Sequence, residues 1–338
     1  MKKIIYISTI IIILITGIII FTNQNNTEKN NSNNFKYIKN KIQKVNQSNK
    51  ENLEIINTLL KNKNFKKEKL ENYLILIKKG VEINDSVYIV NNNFFNDKTT
   101  YNETTINLMK SNYYIHDNLN RYINYKSITK LEDNKVITNV NANLDYEFYN
   151  HDMQVDLSKK DLILVNKFYK LDSNYIPEDL FTIDSKYGQG QIKSNVYEAY
   201  KKMYNDATKQ NLHLKITSPY RSYNTQSNLY NKYVNRDGKA KADTYSARPG
   251  YSEHQTGLAL DIITSTSNLD TFENTQEFKW LQANAYKYGF ILIYPKDKED
   301  ITGYSYESWH YRYVGEETAK KIKKLDITFD EYYAYFIK

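Results

Sequence analysis

The sequence predicts an α+β protein, with a domain of short strands and helices preceded by a helical stretch. Three observations carry this prediction. Apolar residues at every second position, Leu212, Leu214 and Ile216 and again Leu258, Leu260 and Ile262, read as half-buried strands. Apolar residues three and four apart, such as Leu53, Ile56, Leu59 and Leu60 and then Val196, Ala199, Met203 and Ala207, read as helix faces. The 338 residues, 40% of them hydrophobic, suffice for one medium core and a smaller domain.

Residues 1–22 are Met-Lys-Lys followed by an apolar run from Ile4 to Thr22, about the length that crosses a ~30 Å hydrocarbon core as a helix. Lys2 and Lys3 favour a cytoplasmic N-terminus. A cleaved signal peptide is the alternative. The length of the run and the lack of a small-x-small cleavage pattern after Phe21 favour an uncleaved anchor, with the bulk of the chain outside the membrane. Residues 23–34 are a polar tether rich in Asn, Thr and Ser, unable to bury surface. Residues 35–155 read as a helical spacer. Within it, Tyr73 to Val90-Asn-Asn-Asn93 is echoed by Tyr122 to Val140-Asn-Ala-Asn143. A duplicated helical unit and coincidence in an Asn-rich chain both account for the echo.

The second domain is expected over 156–338. Asp161 to Lys167 reads as a short buried strand, and a loop begins at Tyr175-Ile176-Pro177. After the helix and strand already noted, Ser222 is placed to cap a helix whose Gln226, Leu229, Tyr230 and Tyr233 share one side. His213 falls on the polar face of its strand and reads as a surface histidine. Tyr332 to Phe336 reads as an aromatic segment packing on the domain.

Composition narrows the chemistry. The formal net charge of +8 suits an anionic setting such as a cell wall or membrane surface. No nucleic-acid motif accompanies the lysines, so no nucleic-acid partner is expected. The absence of cysteine excludes a thiol nucleophile, a Cys-ligated zinc and any disulfide.

The segment Ser246 to Asp261, S-A-R-P-G-Y-S-E-H-Q-T-G-L-A-L-D, and the later Glu307-Ser308-Trp309-His310 bring together two histidines and two carboxylates. They match the donor types of a catalytic zinc site, with a spare Glu as general base. His254 and Asp261 stand seven apart, about 10.5 Å on a continuous helix. On a continuous strand they would face opposite ways. The chain must therefore turn between them, and Gly257 permits it. Read alone, the same residues also fit a polar loop followed by an edge strand, and Glu307 to Tyr313 also fits a surface segment with aromatic core positions. The H-E-x-x-H zinc-helix pattern is absent.

The combination is more specific. S-x-H-x-x-G-x-A-x-D at Ser252 to Asp261, E-x-W-H downstream and S-x-Y-R-S upstream resemble the VanY-type D-alanyl-D-alanine carboxypeptidases, in the wider LAS group of zinc peptidases with the Hedgehog/DD-peptidase fold. The resemblance runs over roughly residues 160–315 and includes W-L-Q-A-N-A-Y-K-Y-G-F at Trp280 to Phe290. It implies a small antiparallel sheet flanked by helices. It implies His254, Asp261 and His310 as Zn2+ ligands, Glu307 as catalytic base and Arg221 as a substrate- and charge-stabilising residue. Ser252 and Gln226 are implied as substrate contacts. It also implies peptidoglycan stem peptides as partners, in a Gram-positive cell wall faced by a single-pass membrane protein. The oligomeric state is not legible, and a monomer is the expectation. Two alternatives stand beside the D,D-carboxypeptidase: an L,D-carboxypeptidase acting on tetrapeptide stems, and a non-catalytic, zinc-containing wall-binding module.

Overall fold

The apolar positions between 53 and 60 form helix α1 (Asn49–Lys61), which buries Ile55, Ile56 and Leu59 and leaves Leu53 exposed. A computed structural model describes residues 49–338 together with Lys36, Tyr37 and Lys39. The expected anchor at 1–22 and tether at 23–34 lie outside those residues. Among the described residues no helix is long and apolar enough to cross a membrane. The chain divides into two compact units, with the boundary between Leu119 and Asn120.

After α1 come α2 (Leu70–Lys78), α3 (Ile83–Asn91), α4 (Glu103–Lys110), α5 (Leu119–Thr129) and α6 (Asp133–Asn141). The echo in the sequence is an equivalence in bonding. Tyr73 Oη donates to Asn91 Oδ1 at 2.7 Å, and Tyr122 Oη to Asn141 Oδ1 at 2.5 Å. Both helix ends carry an asparagine in the left-handed region, Asn93 (φ 61°) and Asn143 (φ 66°). The next amide reaches back to a carbonyl five residues earlier, Phe94 to Ile89 and Leu144 to Asn139, which satisfies carbonyls the helix leaves open. A cation finishes each end: Lys69 Nζ donates to the Val90 carbonyl, and Arg121 Nη2 to that of Val140. The shared contacts favour duplication over coincidence.

The second unit continues with β1 (Met153–Gln154), β2 (Tyr169–Lys170), β3 (Leu180–Thr182), β4 (Gln191–Lys193) and α7 (Ser194–Thr208). Next are β5 (Lys215–Ser218), α8 (Tyr223–Asp237), α9 (Lys239–Tyr245) and β6 (Ala259–Ile263). Then come α10 (Gln276–Asn284), β7 (Phe290–Leu292), α11 (Glu299–Thr302), β8 (His310–Tyr313), α12 (Glu316–Leu325) and α13 (Phe329–Phe336). Strands β5-β6-β8-β7 form one antiparallel sheet, while β1-β2 and β3-β4 form separate two-stranded pairs. This is the α+β arrangement of a small sheet with helices that the sequence predicts.

The alternation in β6 works as expected. Leu258, Leu260 and Ile262 are buried against Val196, Tyr200 and Met203 of α7 and against Phe290 and Tyr311. At roughly 1.5–3 kcal/mol for each fully buried aliphatic side chain, this face holds the sheet in place. The opposite face is left to carry polar groups. Ser222 caps α8, accepting from the Thr225 amide. His213 is exposed. Tyr332 and Tyr333 are buried on α13.

One expectation is corrected. Residues 161–167 form no strand: Leu157–Leu162 is a 3₁₀ segment kinked at Lys160 (φ 53°), and Ile163, Leu164 and Val165 are buried without pairing in a sheet. The reason is local competition for backbone acceptors. Arg312 Nη2 donates to the carbonyls of Asp161 and Ile163 at 3.0 and 2.8 Å, which occupies groups a strand would have shared with a neighbour.

Candidate metal centre and active site

The site is a consequence of register. In the antiparallel pair β6–β8, Asp261 stands directly opposite His310, so their side chains rise from the same face a few ångströms apart. On the other side of β6, Ser218 is opposite Asp261, past an irregularity between Ile216 and Ser218 that re-aims the end of β5. Gly257 supplies the turn before β6 in the left-handed region (φ 68°), and a Cβ there would stand 3.1 Å from both Leu180 and Lys193. The turn returns His254, in the 3₁₀ segment Glu253–Thr256, to the same point.

His254 Nε2 lies 3.6 Å from Asp261 Oδ1, and His310 Nδ1 lies 3.2 Å from the same oxygen. One donor atom from each of the three residues falls within 4.8 Å of the others, and all three residues are buried. Ligands ~2.0–2.2 Å from a tetrahedral zinc are separated by about 3.4 Å, so these spacings fit a zinc ion. Asp261 Oδ1 is buried without a hydrogen-bond partner, which a carboxylate tolerates poorly unless a cation joins it. His254 Nδ1 is 2.9 Å from the Pro219 carbonyl. A carbonyl only accepts, so the proton sits on Nδ1 and the Nε2 lone pair faces Asp261.

The electrostatics agree with a cation site. Burial, with Arg221 close by, pushes His254 down to about 4, so its imidazole is neutral and ready to ligate. Burial acts to raise the Asp261 carboxyl, but His254 and His310 outweigh it and hold the group well below the usual carboxylate range. His310 is opposed by burial yet pushed up to about 10 by Asp261, Glu253 and Glu307 around it.

Glu307 Oε2 lies 3.4 Å from His310 Nδ1 and lines the cleft. Burial raises its carboxyl to about 8 against the pull of His310 and Arg221, and a zinc ion held by the triad would lower it toward the ionised form a base needs. Arg221 sits at the end of β5. Its guanidinium donates to Gln226 Oε1 and Ser218 Oγ, each at 2.7 Å, and its backbone amide donates to the His254 carbonyl at 3.1 Å. Both side-chain acceptors are neutral, so the positive charge remains available to a ligand, and burial lowers its pKa. Gln226 is held in turn by its Nε2 bond to the Ala247 carbonyl at 2.6 Å.

Arg221, Gln226, Ser252, His254, Asp261, Glu307 and His310 all border one cleft of about 530 Å³. Every residue singled out from the sequence is therefore brought to one place. The sequence reading passed over Glu253 and Arg312, which lie behind the ligands. Arg312 is fully buried and its Nη1 donates to Glu253 Oε1 at 2.5 Å. The alternation of His310 and Arg312 on a strand is the signal that places them on one face.

Residues 189–316 match the family described as VanY, D-alanyl-D-alanine carboxypeptidase. Among curated proteins, the putative carboxypeptidase YodJ of Bacillus subtilis is 45% identical over 181 residues, covering 51% of this chain and 66% of that protein, just under two thirds of its length. A D-alanyl-D-alanine carboxypeptidase of Enterococcus faecalis is 34% identical over 190 residues, covering 53% of this chain and 68% of that one. Among solved structures, that of the LdcB LD-carboxypeptidase is 43% identical, with a TM-score of 0.51 over 53% of this chain and 88% of that one.

Proposed function

Because the chain belongs to the VanY family of D-alanyl-D-alanine carboxypeptidases, we propose that it removes the C-terminal D-alanine from peptidoglycan stem peptides, with zinc held by His254, Asp261 and His310. The observation that carries the reading is the ligand triad with Glu307 at its edge and the charge of Arg221 in the same cleft. Zinc held there would act as a Lewis acid and would make an attacking water more acidic. Glu307 accepts the proton of the attacking water and returns it to the leaving amine nitrogen, a general acid–base role. Arg221 holds the terminal carboxylate of the peptide or the oxyanion that develops on its carbonyl. Ser218 and Gln226 keep that guanidinium aimed, and Ser252 offers a hydroxyl to the substrate backbone.

The likeness to the LD-carboxypeptidase favours a second reading, in which the same residues cut tetrapeptide stems. In either case we place the catalytic unit outside the membrane, facing the wall, on an anchor formed by residues 1–22. The deciding experiment offers pentapeptide and tetrapeptide stems side by side to the zinc-loaded protein and measures alanine release. Release from the pentapeptide alone selects the D,D reading, and release from the tetrapeptide alone selects the L,D reading. Silence on both with zinc bound leaves a wall-binding module. Glu307→Ala is expected to keep zinc and lose about 10²–10⁴-fold in turnover; a variant with zinc and full activity would remove the base assignment.

A further inference from the structure

Glu253 has no part in the chemistry above, yet it is among the most enclosed charges of the molecule, 2% exposed. One carboxylate oxygen, Oε1, accepts from Arg312 Nη1 at 2.5 Å. The other, Oε2, lies 3.4 Å from His310 Nε2. Both Oε2 and Nε2 are buried and have no hydrogen-bond partner elsewhere. Two orphaned polar atoms facing each other at this distance are complementary only if a proton sits on Nε2, because a carboxylate can only accept.

Arg312 explains why Glu253 stays where it is. Its Nε donates to the Tyr313 carbonyl at 3.0 Å and its Nη2 to those of Asp161 and Ile163, while the guanidinium lies 5.1 Å from the Phe329 ring centre. The arginine is therefore fixed on several sides, and the glutamate is fixed to it. A buried ion pair of this kind is weak evidence for stability, since an apolar pair of the same volume is often as stable. Its orientation toward a metal ligand is the more informative feature. Carboxylates behind histidine ligands set the tautomer and orientation of the ring.

We propose that Glu253, clamped by Arg312, is a positioning residue that keeps the proton of His310 on Nε2 and so presents the Nδ1 lone pair to zinc. This deepens the zinc reading and rests on it. Glutamine at 253 has nearly the same shape but only one accepting atom. Arg312 can only donate, so it takes the amide oxygen and turns the NH₂ group toward His310. That arrangement favours a proton on Nδ1, where the metal has to bind.

The test is zinc affinity in the full-length chain, by competition with a chromogenic chelator. Glu253→Gln is expected to bind zinc about 10–100-fold more weakly than the parent. Equal zinc affinity in parent and variant, with only thermal stability lowered, makes the pair purely structural and overturns the proposal. A parent that binds no zinc overturns the zinc reading itself, which is a different result. Where the variant does not fold, long-range ¹H–¹⁵N spectra of the zinc-loaded parent decide, and five histidines make them tractable. A proton on Nε2 of His310 is expected, and a proton on Nδ1 overturns the proposal.

Discussion

The helix ends at Asn91 and Asn141 and the strand pair at Asp261 and His310 both hold clustered polar groups, and they treat them in opposite ways. At the helix ends each tyrosine hydroxyl has an asparagine oxygen, and the left-handed asparagines close the backbone. Such groups contribute about 1 kcal/mol each and fix a shape. At the strand pair, Asp261 Oδ1, His310 Nε2 and Glu253 Oε2 remain buried without hydrogen-bond partners. Their cost stays until a cation or proton arrives, and their arrangement is maintained by the apolar face of β6 beneath them. Of these groups, the satisfied ones close the helix ends, and the unsatisfied ones cluster around His310.

The sharpest way to break this contrast is at the shared oxygen. Asp261→Ala removes the group that both imidazoles face, and it is expected to abolish measurable zinc binding and alanine release together. Retained zinc in a chelator competition would show that the orphaned carboxylate is not a ligand. Next in size is Arg221→Lys, which keeps the charge but loses the planar donors to Ser218 and Gln226. A fall of about 10²–10³ in kcat/KM with zinc affinity unchanged is expected. An equal loss of zinc would mean that the arginine supports the metal site rather than the substrate.

On the architectural side, Tyr122→Phe deletes the bond to Asn141 and should cost about 1 kcal/mol in denaturant unfolding, leaving zinc affinity at the parent value. Tyr73→Phe should cost a similar amount, since its bond to Asn91 is the counterpart. Unequal costs would weaken the case for duplication.

Asp330 gives a pH signature. It is buried, accepts from Asn166 Nδ2 at 2.6 Å, and burial pushes its carboxyl from 3.8 up to about 7. A carboxyl raised in the folded state favours folding while protonated, and that contribution is lost as pH rises from the unfolded value through the folded one. Asp330→Asn should therefore match the parent near about pH 4 and exceed its stability by several kcal/mol, up to about 4, near about pH 8. A difference independent of pH would assign the carboxylate a settled, ionised state.

Much of the site was legible along the chain because its donor types lie in short segments. Gly257 announced the turn that a separation of seven residues between His254 and Asp261 requires, and the left-handed φ there bears it out. The echo of Tyr73 and Tyr122 was visible as spacing, but only the matched hydrogen bonds gave it a cause. Asp161 to Lys167 misled because an apolar run reads as a strand wherever its carbonyls are free, and Arg312, far along the chain, had already taken two of them.

Residue type and local period settle which atoms could bind a metal, where the chain must turn and which faces of its helices and strands are apolar. Tertiary structure alone decided that Asp261 meets His310 across β6 and β8, that Arg221 ends beside them, and that Glu253 stands behind His310 with Arg312 holding it. Those outcomes depend on strand register and on buried charges pairing across the fold. Neither leaves a local period in the chain, because each is chosen by how separate segments pack to exclude water.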